Sequence, residues 1–125
     1  MIYHYKVPQI PPSLNEFLGR ENTWQYRELK QSWKNLIALY CRPRPDVPVE
    51  YAEVTLNYFF PTNIRRDPDN YSGKMLLDGL VSARIIKDDD FKHIRLILLS
   101  SGKDAKKPRV EITVKKLPSA DTEVQ

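Results

Sequence analysis

Residues 52–90 read AEVTLNYFFPTNIRRDPDNYSGKMLLDGLVSARIIKDDD, and the pattern of this stretch decides the fold. Ala52, Val54, Leu56, Tyr58 and Phe60 alternate with Glu53, Thr55, Asn57 and Phe59, which predicts a strand running up to Pro61. After the loop PTNIRRDPDN the period changes. Leu76, Leu77, Leu80 and Ala83 share one face of a helix for which Asn70 is the expected N-cap, and Gly73 and Gly79 lower its propensity modestly. Upstream, Tyr26, Leu29, Trp33, Leu36, Ile37 and Tyr40 form an apolar stripe at helical spacing. Asn22 and Gln25 resemble a capping box at its start, and Pro43 and Pro45 close it. A short strand is expected before it, with Tyr3, Tyr5 and Val7 on one side and Pro8, Pro11 and Pro12 stopping it. Downstream, Ile94–Leu99 and Arg109–Lys115 read as strands joined by the loop SSGKDAKKP, expected to form a hairpin. The order β-α-β-α-β-β implies an α+β fold with one mixed four-stranded sheet covered by two helices.

The chain has 125 residues, enough for one core that buries roughly two thirds of the unfolded surface. One domain is expected over 1–116, with 117–125 a flexible tail, because LPSADTEVQ has no apolar period. The apolar runs, such as LIALYC at Leu36–Cys41 and LILL at Leu96–Leu99, fall far short of the ~20 residues of a membrane helix. The start MIYHYKVPQIPP lacks a signal peptide's apolar centre. A single cysteine, Cys41, suits a reducing compartment. Together these features lead to the expectation of a cytoplasmic protein. Twenty Lys and Arg against 16 Asp and Glu leave a net charge of +4, weak evidence for a polyanionic partner. The basic residues gather in Arg42 and Arg44, in Arg65 and Arg66, and in Lys103, Lys106, Lys107 and Arg109. For any one of these clusters, solvated surface is the commoner meaning.

Two acidic knots stand out: Asp67 and Asp69 before the second helix, and Asp88, Asp89 and Asp90 after it. From spacing alone, the first could merely oppose the helix dipole and the second form a solvated turn. Carboxylates brought close together repel unless a cation lies between them, and oxygen-rich sites select Mg²⁺ and Mn²⁺. Whether the knots meet depends on how Arg84 to Lys87 lead the chain back. Arg65, Arg66 and Lys74 beside these acids are the company that a phosphate-cleaving metal site needs.

The run Arg66-Asp67-Pro68-Asp69-Asn70, then Lys74, Leu77-Asp78-Gly79-Leu80 and Ile86-Lys87-Asp88-Asp89, resembles the signature of the RusA endodeoxyribonucleases, the Holliday-junction resolvases. Pro12-Ser13-Leu14-Asn15 resembles that family's N-terminal motif and Pro108-Arg109-Val110-Glu111-Ile112 its final strand, so the resemblance runs from about Pro11 to Val114. It implies a homodimer that binds four-way junction DNA and nicks two opposed strands with Mg²⁺ or Mn²⁺. Asp67, Asp69, Asp88 and Asp89 would hold the metal, Lys74 would be the essential lysine, and Asn15, Arg65, Arg66, Lys103, Lys106 and Lys107 would contact DNA. Lys74 follows Asp69 by five residues where the family spacing is four, and Asp78 is displaced equally; one inserted residue near Ser72-Gly73 accounts for both. Asp90 is an extra acid. The alternative is a non-catalytic junction-binding accessory protein, and a plain structural domain would require both knots to be incidental.

Other patterns are weaker. Asp67, Asp69 and Asp78 fall at calcium-loop positions, but Ser72 stands where an EF-hand needs glycine. Pro68-Asp69 with Asp90-Phe91-Lys92 imitates the PD-(D/E)xK nuclease pattern, with a helix intervening. His4 and His93 are too distant in sequence to imply a ligand pair, and each reads as a surface or strand residue. Trp33 reads as core, and Trp24 either caps the first helix's apolar face or stacks on a base.

Overall fold

The computed structural model describes residues 1–17, 19 and 23–118. Asn22 and most of the tail, residues 119–125, lie outside the described residues. The elements are β1 (Ile2–Val7), α1 (Trp24–Tyr40), β2 (Ala52–Phe60), α2 (Lys74–Ser82), β3 (Ile94–Lys103) and β4 (Arg109–Lys116), with short 3₁₀ turns at Leu14–Phe17 and Pro68–Tyr71. The result is the α+β fold that the sequence predicts, one mixed four-stranded sheet with two helices. No helix among the described residues is long and apolar enough to cross a membrane.

The strand order is β1-β4-β2-β3, which corrects the expected hairpin. β3 pairs with β2 in parallel, while β4 pairs antiparallel with both β1 and β2. The cause is α2, because a strand that follows a crossover helix lies parallel to the strand before it. β3 therefore takes one side of β2 and leaves the other to β4. The link from Asp104 to Pro108 spans two strand spacings, about 10 Å, across the end of β2, and Asp104 N–H donates to Phe60 O on the way. β3 also runs four residues past the predicted end at Leu99, so Ser100 to Lys103 belong to the strand and not to a loop.

Ala52, Val54, Leu56, Tyr58 and Phe60 are all buried. Val110, Ile112 and Val114 of β4 and Tyr5 and Val7 of β1 join them in one core with Tyr26, Trp33 and Ile37 of α1. Thr23 caps α1, its Oγ1 accepting from Tyr26 N–H. Tyr40, expected in the apolar stripe, is exposed at the last turn, as is Trp24 at the first. Beyond β4 the chain stays tied to the sheet, since Leu117 N–H donates to Tyr51 O.

The two helix glycines are packing requirements and not mere weaknesses. A Cβ on Gly79 would lie 2.6 Å from Ile37 Cγ1, so α2 crosses α1 at a position that only glycine allows. Gly73 has φ +86° and a Cβ there would lie 2.1 Å from Leu56 Cδ1. It also corrects the predicted cap. Asn70 belongs to the separate Pro68–Tyr71 turn, and Gly73 is the N-cap of α2. Gly73 thus forms a left-handed joint between the Pro68–Tyr71 turn and α2.

Candidate metal centre

Two packing events place the first acidic turn. Tyr71 packs edge-on against Tyr58 and Phe60, with ring centroids 5.7 and 5.0 Å apart, and Tyr58 Oη donates to Tyr71 O at 2.8 Å. The turn is thereby fixed over the far end of β2, with Asp67 and Asp69 exposed on it. Arg65 Nε lies 3.3 Å from Asp67 Oδ1 in an exposed pair. Arg66 points inward: its guanidinium lies over the Phe60 ring at 4.3 Å and donates to Thr62 O, Thr62 Oγ1 and Ile64 O. Phe60, Tyr71, Arg66, Asp67 and Leu98 line a small cleft of about 80 Å³ beside this turn. Pro11, Pro12 and Leu14 share a crevice with Asn70, Gly73 and Lys74. The fold therefore brings Pro11–Leu14 beside Asn70–Lys74.

The return of the chain after α2 settles the route that the sequence leaves open. Arg84 adopts φ 61°, its N–H donates to Val81 O, and Ile85 N–H donates to Leu80 O. These two bonds make a Schellman closure with arginine where glycine is usual. Ile85 and Leu80, which accompany it, are both fully buried. The chain then folds back, bridges to β2's approach through Val49 and Ile86, and pairs Lys87 Nζ with Glu50 Oε1 at 2.8 Å. The second acidic turn is delivered beside α2.

Within that turn the acids diverge. Asp89 is half-buried; burial first, then the charges of Asp78 of α2 and of Asp88, hold its carboxyl above the usual carboxylate range. Asp78 is one helical turn from Lys74, the first residue of α2, a rise of about 6 Å. Asp88 and Asp90 instead form a group with His93 in which one ligand atom of each lies within 4.8 Å of the others. This group could hold a metal ion. Its donors of two carboxylates and an imidazole suit Mn²⁺ better than Mg²⁺. Asp90 accepts from Lys92 N–H, and its hydrogen bond with His93 Nδ1 is the leading cause that draws its carboxyl below the usual range. The His93 ring stacks on Tyr51 at 6.2 Å.

Asp67 and Asp69 are not members of the Asp88–Asp90–His93 group. His93 is the residue that sequence reasoning left aside, while Asp90, the extra acid of the sequence, and not Asp89 joins Asp88 in this group. The signal was local: His93 lies three residues after Asp90, not in any pairing with His4, whose Nδ1 bonds Thr113 Oγ1 on the sheet.

The basic candidates share one end of the sheet. Lys103 pairs in register with Phe60, and the link after it is built by Asp104, which accepts from the N–H groups of Lys106 and Lys107 and from Arg109 Nη1 at 2.7 Å. Backbone bonds from Lys107 and a side-chain bond from Arg109 hold the Asp104 carboxyl below its usual range. Lys103, Lys106 and Lys107 are exposed on this link. Arg65 and Arg66 leave from the same strand end, after Phe60. Asn15 is exposed in the first 3₁₀ turn, its N–H donating to Ser13 Oγ.

No family model matches the chain, and no curated protein matches it.

Proposed function

We propose that this chain is a metal-dependent, structure-selective endodeoxyribonuclease that resolves four-way DNA junctions, as its resemblance to the RusA family implies. The observation that carries the reading is Asp89, a half-buried carboxylate close enough to Asp78 and Asp88 to feel their charges, beside the helix that starts with Lys74 and follows Asp67 and Asp69. Crowded carboxylates of this kind favour a divalent cation over a vacant site. Asp67, Asp69, Asp88 and Asp89 are the proposed holders of Mg²⁺ or Mn²⁺, with Asp90 and His93 adding ligands specific to this chain. A bound ion would polarise the scissile phosphate and lower the pKa of the attacking water.

The chain's own residues do the rest. Lys74, exposed at the first residue of α2, meets the negative charge that builds on the phosphate during attack. Arg65, Lys103, Lys106 and Lys107 contact the backbone without reading sequence. Arg66, stacked on Phe60, shapes the loop that carries Asp67. The second nick comes from a second copy, for which the outer edge of β3, with Leu96 and Leu99 exposed, offers a pairing surface.

The test is cleavage of a labelled four-way junction with Mn²⁺, with Mg²⁺ and with chelator. Cleavage should require metal, and Asp69→Asn and Asp89→Asn should each abolish it while junction binding persists or tightens. Full cleavage by both variants sinks the assignment. Lys74→Ala should slow single-turnover cleavage by on the order of a hundredfold with affinity unchanged.

A further inference from the structure

Phe91 is fully exposed, the most exposed of the large hydrophobic residues in the described chain. It stands two residues after Asp89 and between Asp90 and His93. Its exposure is not that of a loose loop. Lys92 N–H donates to Asp90 Oδ1, His93 N–H and Ile94 N–H both donate to Asp90 O, and the His93 ring bonds the same carboxylate. Ile94 then enters the sheet beside Ala52. The ring is held out on a braced turn.

The surroundings limit what can cover it. Asp88, Asp90 and Lys92, its neighbours along the turn, are all exposed and charged, so the turn itself adds no apolar surface to the ring for a protein partner to bury. A complementary ligand must offer a flat apolar face within a charged frame. An unstacked nucleobase does so, since each base has a π-face and carries its phosphate alongside. The acids of the turn would repel that phosphate unless a cation neutralised them. The same divalent ion that the reading above requires would supply that neutralisation.

We propose that Phe91 stacks on a nucleobase opened at the branch point and so positions the adjacent phosphate at the acidic turn. The inference rests on the nuclease reading. It assigns Phe91 a positioning role, in which the ring selects DNA with an unpaired or unstacked base over continuous duplex.

The test uses a four-way junction with 2-aminopurine at the branch point and a continuous duplex with 2-aminopurine in the same sequence, both with the full chain. Wild-type protein should change the fluorescence of the junction and not of the duplex. Phe91→Ala should abolish that change and weaken junction affinity about tenfold with Tm unaltered, because the ring touches nothing in the free protein. Phe91→Trp should restore both. If Phe91→Ala matches wild type in fluorescence and affinity, the stacking role is overturned, even where metal-dependent cleavage by the wild type upholds the nuclease reading. If the wild type shows the ring-dependent signal and does not cleave with Mn²⁺ or Mg²⁺, the stacking role stands and the nuclease reading falls.

Discussion

The two acidic turns have similar composition and are held in opposite ways. The first, Pro68–Tyr71, is seated by packing: Tyr71 against Tyr58 and Phe60, and Gly73 against Leu56. The second, around Asp88–His93, is held by its own polar groups, with Asp90 accepting from the backbone and from His93. A turn fixed by apolar contact keeps its shape whatever the charge state of its carboxylates. A turn fixed by its carboxylates exchanges those bonds with any cation or proton that competes for them. Rigid placement and responsiveness to ions are therefore divided between the two halves of the candidate site.

The strongest blow to the first turn is Gly73→Ala, which combines a left-handed backbone with a Cβ 2.1 Å from Leu56 Cδ1. Denaturant unfolding should show a loss on the order of 3 kcal/mol. A loss under about 1 kcal/mol would mean that packing does not fix this turn. The second turn is tested by metal. Mn²⁺ at a hundred times its Kd should stabilise the protein by about 2.7 kcal/mol, and Asp89→Asn should remove that increment. Without metal the same substitution should raise Tm slightly, since it relieves burial and the repulsion of Asp78 and Asp88. The reversal of sign between the two conditions, read by calorimetry, is the diagnostic.

Alkali should act on the first turn. Burial pushes the Tyr58 phenol up from its ordinary value of 10.0, so the folded state holds this proton more tightly than the unfolded chain. Its contribution is complete below pH 10 and declines as pH rises from there toward the folded value. Tyr58→Phe should cost about 1 kcal/mol at neutral pH through the lost bond to Tyr71 O, and it should flatten the alkaline decline. Acid should act, more weakly, on the second. The Asp90 carboxyl is drawn down chiefly by the His93 hydrogen bond, so its contribution is present above the ordinary carboxylate value and is lost as pH falls through the lowered one. Amide exchange at Lys92 and His93 should accelerate below about pH 4 while exchange around Tyr71 holds; equal acceleration at both turns would erase the distinction.

Most of the architecture was legible because it rests on period. The alternation over Ala52–Phe60 and the stripes on both helices are read directly from side-chain spacing and reappear as the core. Pairing is not periodic. Nothing in Ile94–Leu99 or Arg109–Lys115 states that β2 will lie between them, since that follows from the handed crossover through α2. The candidate site divides likewise. The acids were visible as residues, but the return of the chain depends on Arg84 adopting a conformation that arginine seldom takes, and no sequence pattern announces it. His93 was missed because its partner, Asp90, lies three residues away in the same turn and not at a recognised ligand spacing.

The place of β4 also sets the order of assembly. Among the described residues β1 pairs with no strand except β4, and His4 meets Thr113 across a separation of 109 residues. β1 leaves the ribosome well before β4 and must wait for it, and β2 keeps one edge open until then. Such long-range closure makes for slow folding, and while the chain is incomplete the two edges are open to non-native strand pairing. The central helical and strand segments can associate earlier, but the sheet closes only after β4 has been made.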